Sequence, residues 1–276
     1  MASLPEIRDA RDVADFEACV EIQREVWGLA DLEITSAIQL IATVHAGGQL
    51  LVAEDGEGRR VGFAYAFAAL RGGEPHLHSD MLAVRPAWRG QGLGARLKWA
   101  QREAALHRGI GLVTWTFDPM QATNAALNLR RLGATASELH PDFYGVTTAA
   151  LHHGLPTDRL LVRWELRTPR VAHRRDGPPP PPADARAWPR ANEVTGTGGR
   201  AVSSRPRLDL ESPVVVLEIP GDWNALCRDH PADAAEWQRR VAGALGAYFA
   251  RGYRAVDFLT PEVQGRRRHL YVLSRE

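Results

Sequence analysis

The run Val84-Arg-Pro-Ala-Trp-Arg-Gly-Gln-Gly-Leu-Gly-Ala95 holds the residues best suited to chemistry by type and spacing. Arg89, Gly90, Gln91, Gly92, Leu93 and Gly94 follow an apolar stretch that reads as a strand and open one with helical periodicity. Glycine lets the backbone approach a ligand closely, and the first N–H groups of a helix have no partner within it. Together with the helix dipole they form a cradle suited to a pyrophosphate. A Walker loop needs G-x-x-x-x-G-K-S/T, which is absent. A dinucleotide fingerprint needs an acidic residue about twenty positions on. Asp118 follows Gly92 at a longer interval, so that reading stays open, as does a plain glycine turn capping a helix.

The elements around this loop follow from period and punctuation. Asp12 to Trp27 and Ile34 to His45 read as two amphipathic helices, the second stopped by Gly47-Gly48. Gln49 to Glu54 and Val61 to Leu70 read as a hairpin joined across Asp55-Gly56-Glu57-Gly58. After Arg71-Gly72-Gly73 a third strand, Pro75 to Val84, leads into the loop. Strict alternation would place His76, His78, Asp80, Leu82 and Val84 on one face of it. A helix to about His107, a strand Leu112 to Phe117, a helix Gln121 to Leu132 and strands Ala134 to Leu139 and Leu160 to Leu166 complete the pattern. The expectation is an α/β fold: a mixed sheet with helices on both faces.

The chain of 276 residues is 45% apolar and 24% charged, enough for a real core. With 34 basic and 33 acidic residues, net charge +1, it has no global field to attract nucleic acid or an anionic membrane. The N-terminus lacks an apolar signal region, and Ile34 to Val44 is too short to span a bilayer. Cys19 and Cys227 are far apart, without metal-ligand spacing, so no metal site is expected. A cytoplasmic protein in a reducing compartment is the expectation.

The sequence Leu82-Ala-Val-x-Pro-x-x-Arg-Gly-x-Gly-Leu-Gly94 resembles the coenzyme-A motif of the GNAT superfamily of N-acyltransferases, and the element order from 5 to 168 is similar to that fold. Asn124 followed by Leu132-Gly133 is similar to the superfamily's next motif. The resemblance covers about three-fifths of the chain. It implies that the backbone at Leu82 and Val84 binds the pantetheine arm and that Arg89 to Gly94 bind the pyrophosphate. It also implies that Asn124 touches the cofactor, that acetyl-CoA is the donor, and that Glu33 lies in the loop where acceptors bind.

Acyl transfer to an amine needs a proton acceptor, because such an amine, with a pKa of about 10.4, is protonated at neutral pH. It also needs help for the departing thiolate. His78 and Asp80, two apart on the strand before the loop, are the candidates for the first task; His78 can equally be a structural histidine, and His76 is a weaker alternative. Histidines on this strand resemble those of serotonin N-acetyltransferase. For the second task many superfamily members carry a tyrosine four residues before the helix-ending glycine. Here that position is Leu129, and Tyr144 is the nearest replacement or a packed loop aromatic. Asn128 lies beside Asn124 on a polar stripe that also holds Arg131, either ligand-facing or solvated. Trp27, Trp115 and Trp164 read as core, and the adjacent His152 and His153 make a poor metal pair.

Three segments are expected: a domain over 1–168, a Pro/Gly-rich linker over 169–212, and a β-α-β-β extension over 213–276 whose Tyr248 precedes Gly252 by four residues. About 65 residues make a weak core alone, so the extension is expected to dock on the first domain or on a second subunit, as in a homodimer. The functional expectation is direct transfer of an acetyl group to a small-molecule primary amine in a ternary complex. The competing class is a non-catalytic acyl-CoA-binding module that controls a partner.

Overall fold

The computed structural model describes residues 4–145, 153–196 and 201–275. They divide into two compact units, one of residues 4–115 and 165–167, the other of 116–145, 153–164, 168–196 and 201–275.

The first unit begins with β1 (Glu6–Asp9), four residues too few to show a period, and then α1 (Val13–Trp27) and α2 (Ala37–His45). Asp12 caps α1 by accepting from Asp15 N–H, and Ser36 caps α2 by accepting from Gln39 N–H. There follow β2 (Gln49–Glu54), β3 (Arg60–Arg71), β4 (Glu74–Val84), α3 (Leu93–His107) and β5 (Leu112–Phe117), whose last two residues belong to the second unit. The strands lie in the order β1-β2-β3-β4-β5, antiparallel except for β4 and β5. α1 and α2 bury Phe16, Cys19, Ile22 and Leu40 against Val52, Phe63, Tyr65 and Ala83 on one face. α3 buries Leu93 and Leu97 against Leu51, Ala53, Val61 and Ala64 on the other.

β4 breaks the alternation expected of it. Tyr65 pairs with Met81 but Phe67 pairs with His78, so Ser79 and Asp80 together stand opposite Ala66. This β-bulge shifts the phase by one residue. His78 lies on the α1/α2 face, against the Phe67 ring, whereas Leu82 and Val84 pack against α3. The expected single face from His76 to Val84 is therefore corrected: it is two half-faces joined at the bulge.

In the second unit α4 (Ala122–Ala125) runs directly into a π-helical segment, Ala126–Arg131. β6 (Thr135–His140), β7 (Arg159–Glu165), α5 (Pro169–His173), and the short strands β8 (Val194–Thr195) and β9 (Val202–Ser203) follow. Then come β10 (Val214–Ile219), α6 (Trp223–Asp229), α7 (Pro231–Ala250), β11 (Arg254–Leu259), the hairpin β12 (Glu262–Val263) and β13 (Arg266–Arg267), and β14 (His269–Ser274). Its strands are antiparallel in the order β7-β6-β11-β14-β10.

The extension thus holds two helices rather than one. Asp222 caps α6, and Pro231 opens α7 directly after His230, where a proline is tolerated at a helix start. The proline-rich stretch before it buries Ala191, Asn192 and Ser203, and Tyr248 and Tyr253 donate to the carbonyls of Arg207 and Ser212.

Candidate active site

The glycine loop sits where the sequence places it, between β4 and α3. Gly90 and Gly92 have φ of 76° and 77°, the left-handed region, and a Cβ on either would meet no atom within 4 Å. Backbone conformation therefore demands glycine there, and the space above the loop is open. Gly92 caps α3 without any side-chain cap. Among the described residues no hydrogen bond is made by the backbone N–H groups from Gly90 to Ala95, and the first intrahelical bond is that of Arg96 N–H to Gly92 O. Six consecutive donors at a helix start form an anion cradle. Arg89 Nε donates back to Val84 O at 3.1 Å, and Gln91 Nε2 to Ala87 O at 3.2 Å, which fixes the loop's approach.

β4 is the wall leading to the cradle. It pairs with β5 only at Leu77–Val113 and His78–Thr114. After the bulge it keeps β3 as its partner from Met81 to Val84 and has no pairing with β5, so the sheet forks immediately after His78. One edge of the backbone, through Leu82 to the Val84 N–H, is left for another partner, while the Val84 carbonyl accepts from Arg89.

His78 stands at the fork. Its Nδ1 lies 2.9 Å from Thr114 Oγ1, and its ring stacks on that of Phe67 at 5.1 Å. Burial, with the neighbouring charges of His76 and Lys98, lowers its pKa to about 4. It is neutral through the ordinary pH range. Asp80 is exposed, yet the protein mass around it disfavours its ionised form and raises its pKa above the usual carboxylate range; water reaching the side chain moderates the effect. His76 is buried, with Nδ1 2.9 Å from Glu74 O, as a structural histidine would be. Glu33 ends a single 3-10 turn, Asp31–Glu33, between α1 and α2.

On the other face of the fork lies a polar cluster that periodicity did not single out. Lys98 is 2% exposed; its Nζ donates to Ser79 Oγ at 2.9 Å and Gln101 Oε1 at 2.7 Å, and lies 3.8 Å from the centre of the Trp115 ring. Burial holds the amine well below the usual lysine range. The only sequence signal was a lysine on the apolar stripe beside Leu97.

In the second unit, the π segment separates Asn124 from Asn128. The Leu132 N–H bonds to Leu127 O, five residues back, and the extra residue rotates the helix. Asn124 is exposed and Asn128 is buried, where an α-helix would have kept them on one stripe. Leu129 is fully buried and cannot donate a proton. Gly133, at φ 73°, could not carry a Cβ, which would lie 2.8 Å from Arg174 Cγ.

Tyr144 is half-exposed on a turn laced to the start of β7, its N–H donating to Thr157 Oγ1 at 2.8 Å. Its hydroxyl lies 3.3 Å from Thr116 Oγ1, and the Arg159 guanidinium stands 5.1 Å over its ring. Asp118 turns inward to accept from Met120 N–H at 2.8 Å, capping its own turn rather than facing a ribose. Tyr248 is buried and donates to Arg207 O.

Trp27 packs edge-on to Phe63, and Trp164 is fully buried with its N–H on Leu132 O. His153 Nε2 lies 3.4 Å from Asn224 Oδ1, while His152 lies outside the described residues. Both cysteines are buried and their thiols are pushed up to about 12, too high for a nucleophile. Among the described residues no three His, Cys, Asp or Glu side chains converge as a metal site, and no helix is long and apolar enough to cross a membrane.

Residues 46–133, which span β2 to the end of the π segment, match the family model described as an acetyltransferase (GNAT) domain. No curated protein matches the sequence. Among solved structures, the ribosomal-protein-S18-alanine N-acetyltransferase of Escherichia coli is 16% identical, with a TM-score of 0.48 over 60% of this chain and 96% of that one. The putative acetyltransferase yncA of Salmonella typhimurium, solved with acetyl-CoA, is 23% identical, with a TM-score of 0.48 over 60% and 96%. A phosphinothricin acetyltransferase of Sinorhizobium meliloti, in complex with acetyl-CoA, is 21% identical, with a TM-score of 0.45 over 58% and 88%.

Proposed function

We propose that this chain, whose residues 46–133 match the family model described as an acetyltransferase (GNAT) domain, transfers an acetyl group from acetyl-CoA to a primary amine of a small molecule by direct attack in a ternary complex. The observation that carries this reading is the fork between β4 and β5, which opens a strand edge leading straight to six unpaired N–H groups at the start of α3. The pyrophosphate would lie on Gly90 to Ala95, with Arg89 and Gln91 shaping the loop, and the pantetheine arm along the backbone of Leu82 and Val84. Asn124, exposed on α4, is assigned to the cofactor by the resemblance alone.

At the other end of that edge, His78 in the tautomer that donates Nδ1–H to Thr114 Oγ1 would keep Nε2 as an acceptor. With its pKa lowered to about 4, it can orient an amine or a water but is a weak base on its own. Asp80, with a carboxyl more basic than usual and open to solvent, is the better final acceptor of the amine proton. The Phe67 ring beside His78 offers an apolar flank to an acceptor, which suits an arylalkylamine; Glu33 is a second carboxylate for the acceptor's charge. Two buried, high-pKa cysteines support direct transfer over a covalent acyl-enzyme.

A calorimetric titration with acetyl-CoA and coenzyme A tests the donor site, beside a Gly92→Glu variant that puts a side chain and a negative charge into the cradle. Micromolar binding that the variant abolishes is expected. Thiol release with a panel of primary amines then tests transfer, and His78→Gln is expected to lower kcat about 100-fold while leaving coenzyme A binding intact. Binding without turnover for any amine would favour the second reading, an acyl-CoA-responsive module, for which the buried Leu129 in the usual tyrosine position speaks.

A further inference from the structure

Ser79 and Trp115 are the first residues past the last paired positions, His78 and Thr114, one on each strand of the fork. Both turn their side chains to the α3 face, and the Lys98 amine lies between them, within hydrogen-bond distance of one and over the ring of the other. It therefore sits at the vertex of the fork. The site lies about 16 Å along β4 from Val84, at five residues of about 3.3 Å each, where an arm laid from the cradle along the strand edge arrives.

We propose, resting on the acyl-transfer reading above, that Lys98 is the proton donor to the departing thiolate, the role left empty by Leu129. The amine nitrogen bonds to the thioester carbonyl carbon, the C–S bond breaks, and the sulfur keeps the electron pair. One N–H proton of the Lys98 ammonium passes to sulfur, giving free thiol and a neutral lysine. The proton lost by the attacking amine leaves through Asp80, and Lys98 is recharged from solvent after product release.

Two features fit this role. An ordinary lysine is a poor donor to a thiolate of pKa about 8.5. Burial holds the Lys98 amine well below the usual lysine range, which makes its ammonium a stronger acid than an ordinary lysine's. Its two anchors, Ser79 Oγ and Gln101 Oε1, are neutral acceptors that orient the ammonium without fixing its charge as a carboxylate would. Among the groups facing it are Gln101 on α3, Ser79 and across the strand His78 on β4, and Trp115 on β5. Tyr144, the candidate of the sequence, has its hydroxyl on Thr116 instead.

The test compares the full-length protein with Lys98→Met, following thiol release from acetyl-CoA with phenylethylamine as acceptor and, separately, with water alone. The kcat is expected to fall about 100-fold in Lys98→Met, with coenzyme A affinity by calorimetry changed less than about threefold, and the alkaline limb of the wild-type pH–kcat profile is expected to vanish. Tyr144→Phe should retain that limb. Ser79→Ala provides a second reading should Lys98→Met not fold: loss of an acceptor disfavours the ammonium, so the alkaline limb moves to lower pH. A Lys98→Met enzyme with wild-type kcat, or one with reduced kcat and an unmoved alkaline limb, overturns the proposal while leaving acyl transfer standing. A wild-type protein that binds acetyl-CoA but releases no thiol under either condition overturns both.

Discussion

Asp15 and Lys98, both charged and almost wholly buried in the first unit, are housed in opposite ways. Asp15 is fully buried on α1, where Arg8 and Arg60 reach it at 2.7 and 2.6 Å and the Arg11 N–H adds a third donor. These partners outweigh the cost of burial and hold its carboxyl well below the usual range. Lys98 is buried to the same degree with two neutral acceptors and an aromatic face, and burial wins, lowering its pKa. A charge that only has to hold elements together is surrounded by opposite charge. A group that has to gain and lose a proton is given partners that tolerate both forms.

This contrast can be broken most severely at Asp15. Asp15→Asn leaves two largely buried guanidinium groups short of their counter-charge and is expected to cost about 3 kcal/mol, read from urea unfolding with an unchanged m-value. A loss under about 1 kcal/mol would mean that Glu54, also bonded to Arg8, carries the network. The pH dependence sharpens the same point. The depressed pKa of Asp15 means that the unfolded chain binds more protons just below the ordinary value of 3.8. Its stabilisation is therefore complete above that value and is lost as pH falls, and the acid-unfolding profile of Asp15→Asn should lack this component.

Lys98→Met is expected to have the opposite sign in stability, neutral or stabilising by about 1 kcal/mol, because an apolar chain of similar length replaces a desolvated amine against Trp115. With a folded pKa below the ordinary value of 10.5, wild-type Lys98 makes stability rise with pH between the folded pKa and that value, since the unfolded chain then binds more protons. Melting temperatures measured at mildly alkaline pH should show this rise in the wild type and not in Lys98→Met. The smallest effect belongs to Ser79→Ala, about 1 kcal/mol for one buried hydrogen bond.

The cradle was legible because its signal is local: glycines at left-handed φ, a strand before them and a helix after them. Leu129 and Gly133 were legible for the same reason. The face of Leu82 and Val84 was not, because the bulge at Ser79 and Asp80 carries no glycine or proline to announce it. The separation of Asn124 from Asn128 was equally silent, since π-helical bonding in Ala126–Arg131 draws on ordinary helix-forming residues. β1 and α6 escaped because four and seven residues are too few for a period to show.

By itself the sequence determined the order of the main elements, the glycine loop that opens a helix, and the presence of His78 and Asp80 on the strand that feeds it. Each of these depends on neighbours a few residues away, through backbone conformation and side-chain period. Only the tertiary structure decided where β4 and β5 part, which face His78 takes, and that Lys98 fills the vertex between them. Those outcomes depend on strand register and on contacts across 19 residues from Lys98 to Ser79 and 36 from His78 to Thr114. A register shift of one residue reverses a face, and nothing in the local pattern records it.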